Sequence, residues 1–247
     1  MEESVRINKY LSEAGVCSRR EADRRIEKGY VTINGKEAVM GDRVFPGDVV
    51  MYGEKVIAKE DEVILLAVNK PEGIVCTSEK REKDNIVDYI RYPKRIYPIG
   101  RLDKKSHGLL LMTNQGELVN KIMRSGNYHE KEYIVKVDRE VTEKFLKDMA
   151  DGVYLKDLEA TTRRCQVEKV GKRTFRIILT QGMNRQIRRM CETFGYHVVD
   201  LKRVRIMNIK LGDLKMGEYR KVTQEEWQEL QRQIKDSSSE MVYPKWQ

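Results

Sequence analysis

The sequence predicts an α+β protein built from two domains. Three observations carry that expectation. Segments with apolar residues at helical spacing are mixed with strand-like apolar runs, yet no strict strand–helix–strand alternation develops. A chain of 247 residues is long enough for one large domain and a small one. Residues 1–58 are electrically balanced, with ten Lys and Arg against ten Asp and Glu, so the excess positive charge lies downstream.

Taken in order, Ile7, Tyr10, Leu11 and Ala14 recur at helical spacing, and Gly15 is a natural stop. Ser18-Arg19-Arg20-Glu21 reads as a capping box, in which the Ser hydroxyl and the Glu carboxylate each accept from an unpaired backbone N–H. A second helix therefore runs to about Lys28 and ends at Gly29. Residues 30–33 read as a strand, and Asn34-Gly35 as a hairpin turn, because both residues tolerate left-handed backbone. Pro46-Gly47-Asp48 turns the chain again before Val49-Val50-Met51. Residues 53–61 are polar and predict a linker, closing a small domain of two helices and a short sheet over residues 1–58.

The larger domain is expected over residues 59–236. Strands are predicted at 63–68, 74–76, 96–99 and 109–113, with a short helix at 85–90. Asn114-Gln115-Gly116-Glu117 opens a helix to about Met123. Residues 131–137 are extended, Thr142 caps a helix through about Met149, and 163–170 with 174–180 form a hairpin around Gly171. Residues 185–194 are helical and stop at Gly195; 197–206 are extended again. Thr223-Gln224-Glu225-Glu226 caps a last helix containing Trp227 and Leu230. Residues 237–247 are a polar tail.

Net charge is +9 with an isoelectric point near 9.2, which suits a polyanionic partner, most simply nucleic acid. Residues 163–210 hold thirteen Lys and Arg against three Asp and Glu, so this segment alone covers the excess. The alternation Arg203-Val204-Arg205-Ile206 predicts a strand with one basic face; a charge run also serves simply as a solvated surface. The four Cys form no Cys-x-x-Cys pair and the three His are scattered, so no metal is expected. Free thiols suit a reducing cytoplasm. Met1-Glu2-Glu3-Ser4 lacks a signal-peptide pattern, and the apolar runs are too short to cross a bilayer, so no membrane partner is expected.

Gly100-Arg101-Leu102-Asp103 places one carboxylate among Arg101, Lys104 and Lys105, just ahead of the apolar run Leu109-Leu110-Leu111-Met112. Nearby positive charge favours the ionised form, and an ionised carboxylate on a loop before a buried strand can act as nucleophile or base. The same pattern fits a surface ion pair. Tyr133, in Lys131-Glu132-Tyr133, reads by itself as strand packing. In Gln181-Gly182-Met183-Asn184-Arg185-Gln186-Ile187-Arg188-Arg189-Met190, Arg185 and Arg189 share a helix face while Arg188 points elsewhere.

Together these motifs resemble those of the pseudouridine synthases, in the RsuA-like branch, from about Val5 to Leu230. Residues 126–133 are most similar to RluF-like enzymes of that branch, with Asn127-Tyr128 departing slightly. The resemblance implies that Asp103 is the catalytic residue, that Arg188 is the cation paired with it, and that Tyr133 stacks on the target uracil. The reaction it implies breaks the bond between ribose C1′ and uracil N1, then rejoins the base through C5. No atom is gained or lost, so no cofactor is expected. Arg101, Lys104, Arg185 and Arg189 are expected on backbone phosphates.

Residues 5–52 resemble the alpha-L RNA-binding domain first described in a small-subunit ribosomal protein, on Arg6, Lys9, Ser18-Arg19-Arg20-Glu21-Ala22 and Val31-Thr32-Ile33-Asn34-Gly35. RNA contacts are thereby expected from Arg6, Lys9, Ser18, Arg19, Arg20 and Lys36. Cations at the start of the second helix sit beside exposed N–H groups, so charge and hydrogen bonds act on phosphate together. The plain alternative is that Arg19, Arg20, Arg24 and Arg25 only solvate the helix. For the larger domain the resemblance implies a mostly antiparallel, bent sheet flanked by helices, with the active site in a cleft across it. The implied substrate is ribosomal RNA, large-subunit 23S ahead of 16S, or the tyrosine transfer RNA anticodon, acted on by a cytoplasmic monomer. A non-catalytic ribosome assembly factor is the rival reading; it has no need of Asp103, Tyr133 and Arg188 together.

Overall fold

A computed structural model describes residues 4–58, 62–79 and 81–238. The start of the chain, the end of the expected linker at 59–61 and the tail beyond Ser238 lie outside the described residues. The chain divides into two compact units. One holds Met1–Ile64, Tyr92–Ile96 and Asn114–Gly116; the other holds Leu65–Arg91, Tyr97–Thr113 and Glu117–Gln247.

In the first unit, β1 (Val5–Arg6) leads into α1 (Ile7–Glu13), and α2 (Arg19–Ile26) follows. The strands β2 (Val31–Ile33), β3 (Lys36–Glu37), β4 (Arg43–Val44), β5 (Val50–Tyr52) and β6 (Lys55–Ile57) come next. β1 pairs with β4, and the others form a sheet in the order β3-β2-β5-β6. Ile7, Leu11, Ala22, Ile26, Val31 and Val50 close the core. Asn34 and Gly35 take φ of 51° and 76°, which joins β2 to β3 through the expected two-residue turn.

Two expectations change here. Ser18 Oγ accepts from the Glu21 N–H at 3.2 Å, but Glu21 does not return the bond. Its carboxylate is held by Arg25 at 2.8 Å and Arg24 at 2.9 Å, because cations three and four residues on offer charged donors on the same face. Part of the expected linker is also structural: Lys55–Ile57 pairs with β5 around Gly53, a hairpin too short to leave a periodic signal.

The second unit is a nine-stranded sheet. Its elements are β7 (Leu65–Lys70), α3 (Ile86–Ile90), β8 (Tyr97–Ile99), β9 (His107–Thr113), α4 (Gly116–Met123), β10 (Lys131–Val137) and α5 (Glu143–Ala150). A small pair, β11 (Tyr154–Leu155) and β12 (Ala160–Thr161), stands apart. Then come β13 (Gln166–Gly171), β14 (Thr174–Leu179), α6 (Gln186–Thr193), β15 (Val198–Ile206), β16 (Ile209–Lys210), β17 (Tyr219–Lys221) and α7 (Gln224–Ile234). The main path runs β13-β14-β10-β15-β9-β7-β17, with β16 on β15 and β8 on β9. Every pairing is antiparallel except β15 with β9, so the sheet is mixed and mostly antiparallel, as the α+β expectation requires.

Two apolar cores flank that parallel seam. Phe145 and Met149 of α5 and Met190 of α6 pack on Val135, Phe175 and Ile177. Leu118 and Ile122 of α4 and Leu230 and Ile234 of α7 pack on Ala67, Leu109 and Leu111. Thr142 caps α5, and Thr223 with Glu226 makes a complete capping box on α7. Residues 74–76 are not a strand; Val75 makes one isolated bridge to Asn85, since its N–H is taken by Asp84 and its carbonyl by Ile86. Asn114 does not cap α4 either: its side chain accepts from Ile64 N–H and donates to the Glu62 carbonyl.

Candidate active site

The loop between β8 and β9 carries Asp103, and hydrogen bonds hold it from several sides. Leu102 N–H donates to Cys76 Sγ at 3.3 Å, and Gly73 N–H to the Lys104 carbonyl at 2.8 Å. The Lys70 ammonium, fully buried at the end of β7, donates to the carbonyls of Ser106 at 2.7 Å and Pro71 at 2.8 Å. Burial pushes the Lys70 pKa down from its usual value, against the opposing pull of Cys76, Glu72 and Asp103. Gly108 (φ 100°) is where β9 meets β15. A Cβ there would lie 2.3 Å from the Arg203 carbonyl oxygen, so the close parallel contact needs glycine.

Arg188 reaches this loop from α6. Its Nη2 donates to the Lys105 carbonyl at 3.0 Å and to Ser106 Oγ at 3.2 Å, and its Nη1 to the Val198 carbonyl at 3.3 Å. Its Nε lies 3.8 Å from Asp103 Oδ2. That is an ion pair and too long for a hydrogen bond; Nε has no hydrogen-bond partner although it is buried. The Asp103 side chain is 33% exposed and the Arg188 side chain 9%, so the carboxylate faces an opening and the guanidinium backs it.

The opening is a cavity of about 370 Å³ lined by Asp103, Arg188 and Tyr133, with Arg101, Arg185, Lys131 and Arg203 also on its wall. That volume suits a single small ligand or one extruded nucleotide. The structure thus gathers the three expected catalytic residues in one place. Lys131, Arg203 and Ser106 join them unforeseen on the cavity wall, and Lys70 and Cys76 hold the Asp103 loop. Lys131 did leave a signal, since residues two apart on a strand share a face and it stands two before Tyr133.

The expected RNA contacts divide. Arg6, Ser18, Arg19, Arg20 and Lys36 are exposed in the first unit, with Ser18 Oγ already capping α2. Lys9 is 3.6 Å from Glu13. In the second unit, Arg101 and Arg185 are exposed on the cavity wall, and Lys104 is 3.4 Å from Asp84. Arg185 precedes α6 in left-handed backbone (φ 50°) instead of lying on the helix face expected for it. Arg189 does not line that wall and is engaged by Asp157 and by the Asn184 carbonyl.

The expected basic strand face is also mostly spent. A register shift sets Tyr133 opposite Arg203 but Glu132 opposite Arg205. Arg203 is therefore buried in the cavity wall, while Arg205 binds Glu132 at 2.6 Å and Glu130 at 2.9 Å. Burial raises the Glu132 pKa, yet hydrogen bonds from Arg205 and Arg176 bring it below the usual carboxylate value overall. His107 is buried and lies 2.8 Å from Asp200. With Glu72 these residues bring three possible ligand atoms within 4.8 Å, outside the cavity lining.

A half-buried carboxylate backed by a buried guanidinium, at the mouth of a cavity large enough for one nucleotide, defines a candidate enzyme site. The model of the RNA pseudouridylate synthase family matches residues 64–193, and that of the S4 domain matches residues 5–50. The chain is 54% identical over 244 residues to the dual-specificity RNA pseudouridine synthase RluF of Escherichia coli K12, covering 98% of this chain and 83% of that protein. It is 32% identical over 232 residues to the ribosomal large subunit pseudouridine synthase B of Bacillus subtilis, covering 91% and 95%. A crystal structure of a pseudouridylate synthase superposes with a TM-score of 0.68 at 28% identity, covering 92% of this chain and all of that one.

The chain belongs to the RNA pseudouridylate synthase family and carries an N-terminal S4 domain. It is an RNA pseudouridine synthase, an intramolecular isomerase, and the assembly-factor reading falls with that membership.

Proposed function

We propose that this enzyme isomerises a uridine of large-subunit 23S ribosomal RNA, with Asp103 as the catalytic carboxylate, Arg188 as its partner and Tyr133 as the ring that stacks on the base. The observation that carries the reading is the 3.8 Å approach of Arg188 to Asp103 on the wall that Tyr133 shares. Asp103 has three routes: addition to ribose C1′, addition to uracil C6, or removal of a ribose proton on the way to a glycal. All three demand an ionised carboxylate beside the sugar. A uridine inside a duplex cannot meet that demand, so the target is in a loop or is turned outward at a cost of a few kcal/mol.

Residues 1–58 are the RNA-binding domain in this reading, 59–236 the catalytic domain and 237–247 a tail. Arg6, Lys9, Ser18, Arg19, Arg20 and Lys36 hold RNA from the first domain; Arg101, Lys104 and Arg185 hold phosphates near the cavity. Arg189 has a smaller share because Asp157 occupies it. The enzyme acts as a cytoplasmic monomer. Two observations support that setting: all four Cys are free thiols, and among the described residues no helix is long and apolar enough to cross a membrane. The likeness to a dual-specificity relative favours a second substrate, the anticodon of tyrosine transfer RNA. The test is pseudouridine mapping across total RNA from cells with and without the gene. Loss of one modification in 23S ribosomal RNA is the expected result; an unchanged map of that RNA contradicts the proposal.

A further inference from the structure

Lys131 and Arg203 are 2% and 1% exposed, and both line the cavity that holds Asp103. Among the described residues neither has a carboxylate partner. Lys131 Nζ donates to the His129 carbonyl at 3.1 Å, and Arg203 Nε to the Leu109 carbonyl at 2.7 Å. Arg203 Nη2 is buried with no hydrogen-bond partner at all. Arg205, two residues along the same strand, has two carboxylates. Burying an unpaired cation is costly, and burying two beside each other is more so. An arrangement of this kind is stabilised when an anion arrives, and the cavity is where a substrate would bring one.

We propose that Lys131 and Arg203 form a charged subsite that receives the negative charge uracil acquires when its bond to ribose breaks. The inference rests on the reading under Proposed function. The C1′–N1 bond breaks with its electron pair going to N1, and the charge spreads over N1, O2 and O4. When C5 bonds to C1′ the pair enters the new bond, and the proton displaced from C5 ends on N1, so atoms and charge balance. Preorganised cations aimed at such a developing anion lower the barrier because they need no reorganisation as it forms.

Lys131 also gives the subsite a pH response. Burial, with Arg203 and Arg163 nearby, pushes its pKa down to about 8. The other titratable or charged groups around it are His129, whose carbonyl it binds, and, on the shared cavity wall, Arg101, Asp103, Tyr133, Arg185 and Arg188. As pH rises through about 8 the subsite loses a charge, so kcat/KM is expected to fall.

The test is single-turnover kinetics on the 23S ribosomal RNA fragment bearing the converted uridine, carrying either uridine or 5-fluorouridine at the target and following loss of that nucleoside. Lys131→Met is expected to slow the chemical step roughly 100-fold on uridine, the usual scale for one oxyanion donor. The RNA Kd should stay within about twofold, because the charge acts on the departing base and not on the backbone. The loss should be smaller on 5-fluorouridine, whose base carries negative charge more readily. Lys131→Arg should restore most of the rate and remove the alkaline fall. Arg203→Met, checked for folding by thermal melting, gives a second arm with the same expected pattern.

A weakened Kd with an unchanged chemical step would overturn the proposal and assign the cations to a backbone phosphate. An equal loss on both RNAs would overturn it as well. A parent enzyme that converts no uridine in this RNA would instead sink the substrate reading.

Discussion

The guanidinium of Arg188 lies 3.8 Å from the Asp103 carboxylate while its two terminal nitrogens hold the backbone at Lys105 and Val198. One side chain thus fixes the loop that carries the acid and supplies charge behind the acid. Arg188→Lys keeps the charge but cannot make the forked contacts. It is expected to lower kcat at least tenfold. Arg188→Met also leaves carbonyl groups unsatisfied and Asp103 unpaired, and should destabilise the fold by about 2–4 kcal/mol. Urea unfolding beside kcat measurement checks both.

Gly108 is the tightest point of the parallel seam. A methyl group there would sit 2.3 Å from a backbone oxygen of Arg203, at a φ of 100° that side chains rarely adopt. Gly108→Ala is expected to cost about 3 kcal/mol or more in urea unfolding, by combined strain and overpacking. A loss below about 0.5 kcal/mol, the scale of a neutral surface change, contradicts this view of the seam.

Lys131 pays in stability for its place in the cavity. Its folded pKa of about 8 lies below the ordinary lysine value of 10.5, so the fold disfavours its charged form. The penalty is fully present below pH 8 and fades as pH rises toward 10.5. Lys131→Met should therefore be more stable than the parent at pH 7, by at most about 3 kcal/mol. The advantage should shrink between pH 8 and 10. Denaturant melts of both proteins across that range check the sign; an advantage that grows with pH contradicts it.

RNA binding should weaken as salt rises, because phosphate contacts release counterions. The slope is expected to be modest for a protein of net charge +9. Several cations of the basic segment are already neutralised: Arg176 by Glu132 and Glu168, Arg189 by Asp157, Arg205 by Glu130 and Glu132. Arg19→Ala with Arg20→Ala should flatten the slope further, by roughly one to two counterions. Filter binding over a salt series measures it.

Those ion pairs also show where the sequence stops being legible. The Asn34-Gly35 hairpin, the Thr142 cap and the Thr223 box are set by neighbours within a few residues, so local pattern finds them. Asp103, Tyr133 and Arg188 could be named as a set only through family resemblance, because they stand on a loop, a strand and a helix far apart in the chain. Arg203 and Lys70 escaped because lysine and arginine ordinarily stay at the surface, and nothing local marks these two as buried; Lys131 was marked only by its place two residues before Tyr133. The register shift opposite Glu132 and Tyr133 is likewise invisible to alternation, yet it decides which arginine enters the cavity.

The most direct measurement is single-turnover pseudouridine formation by Asp103→Asn on 23S ribosomal RNA, with RNA affinity measured on the same preparation. The expected result is unchanged binding and no detectable product, since Asn matches the shape of the acid but carries neither its charge nor its basicity. Conversion at the parent rate would show that the chemistry belongs to some other group.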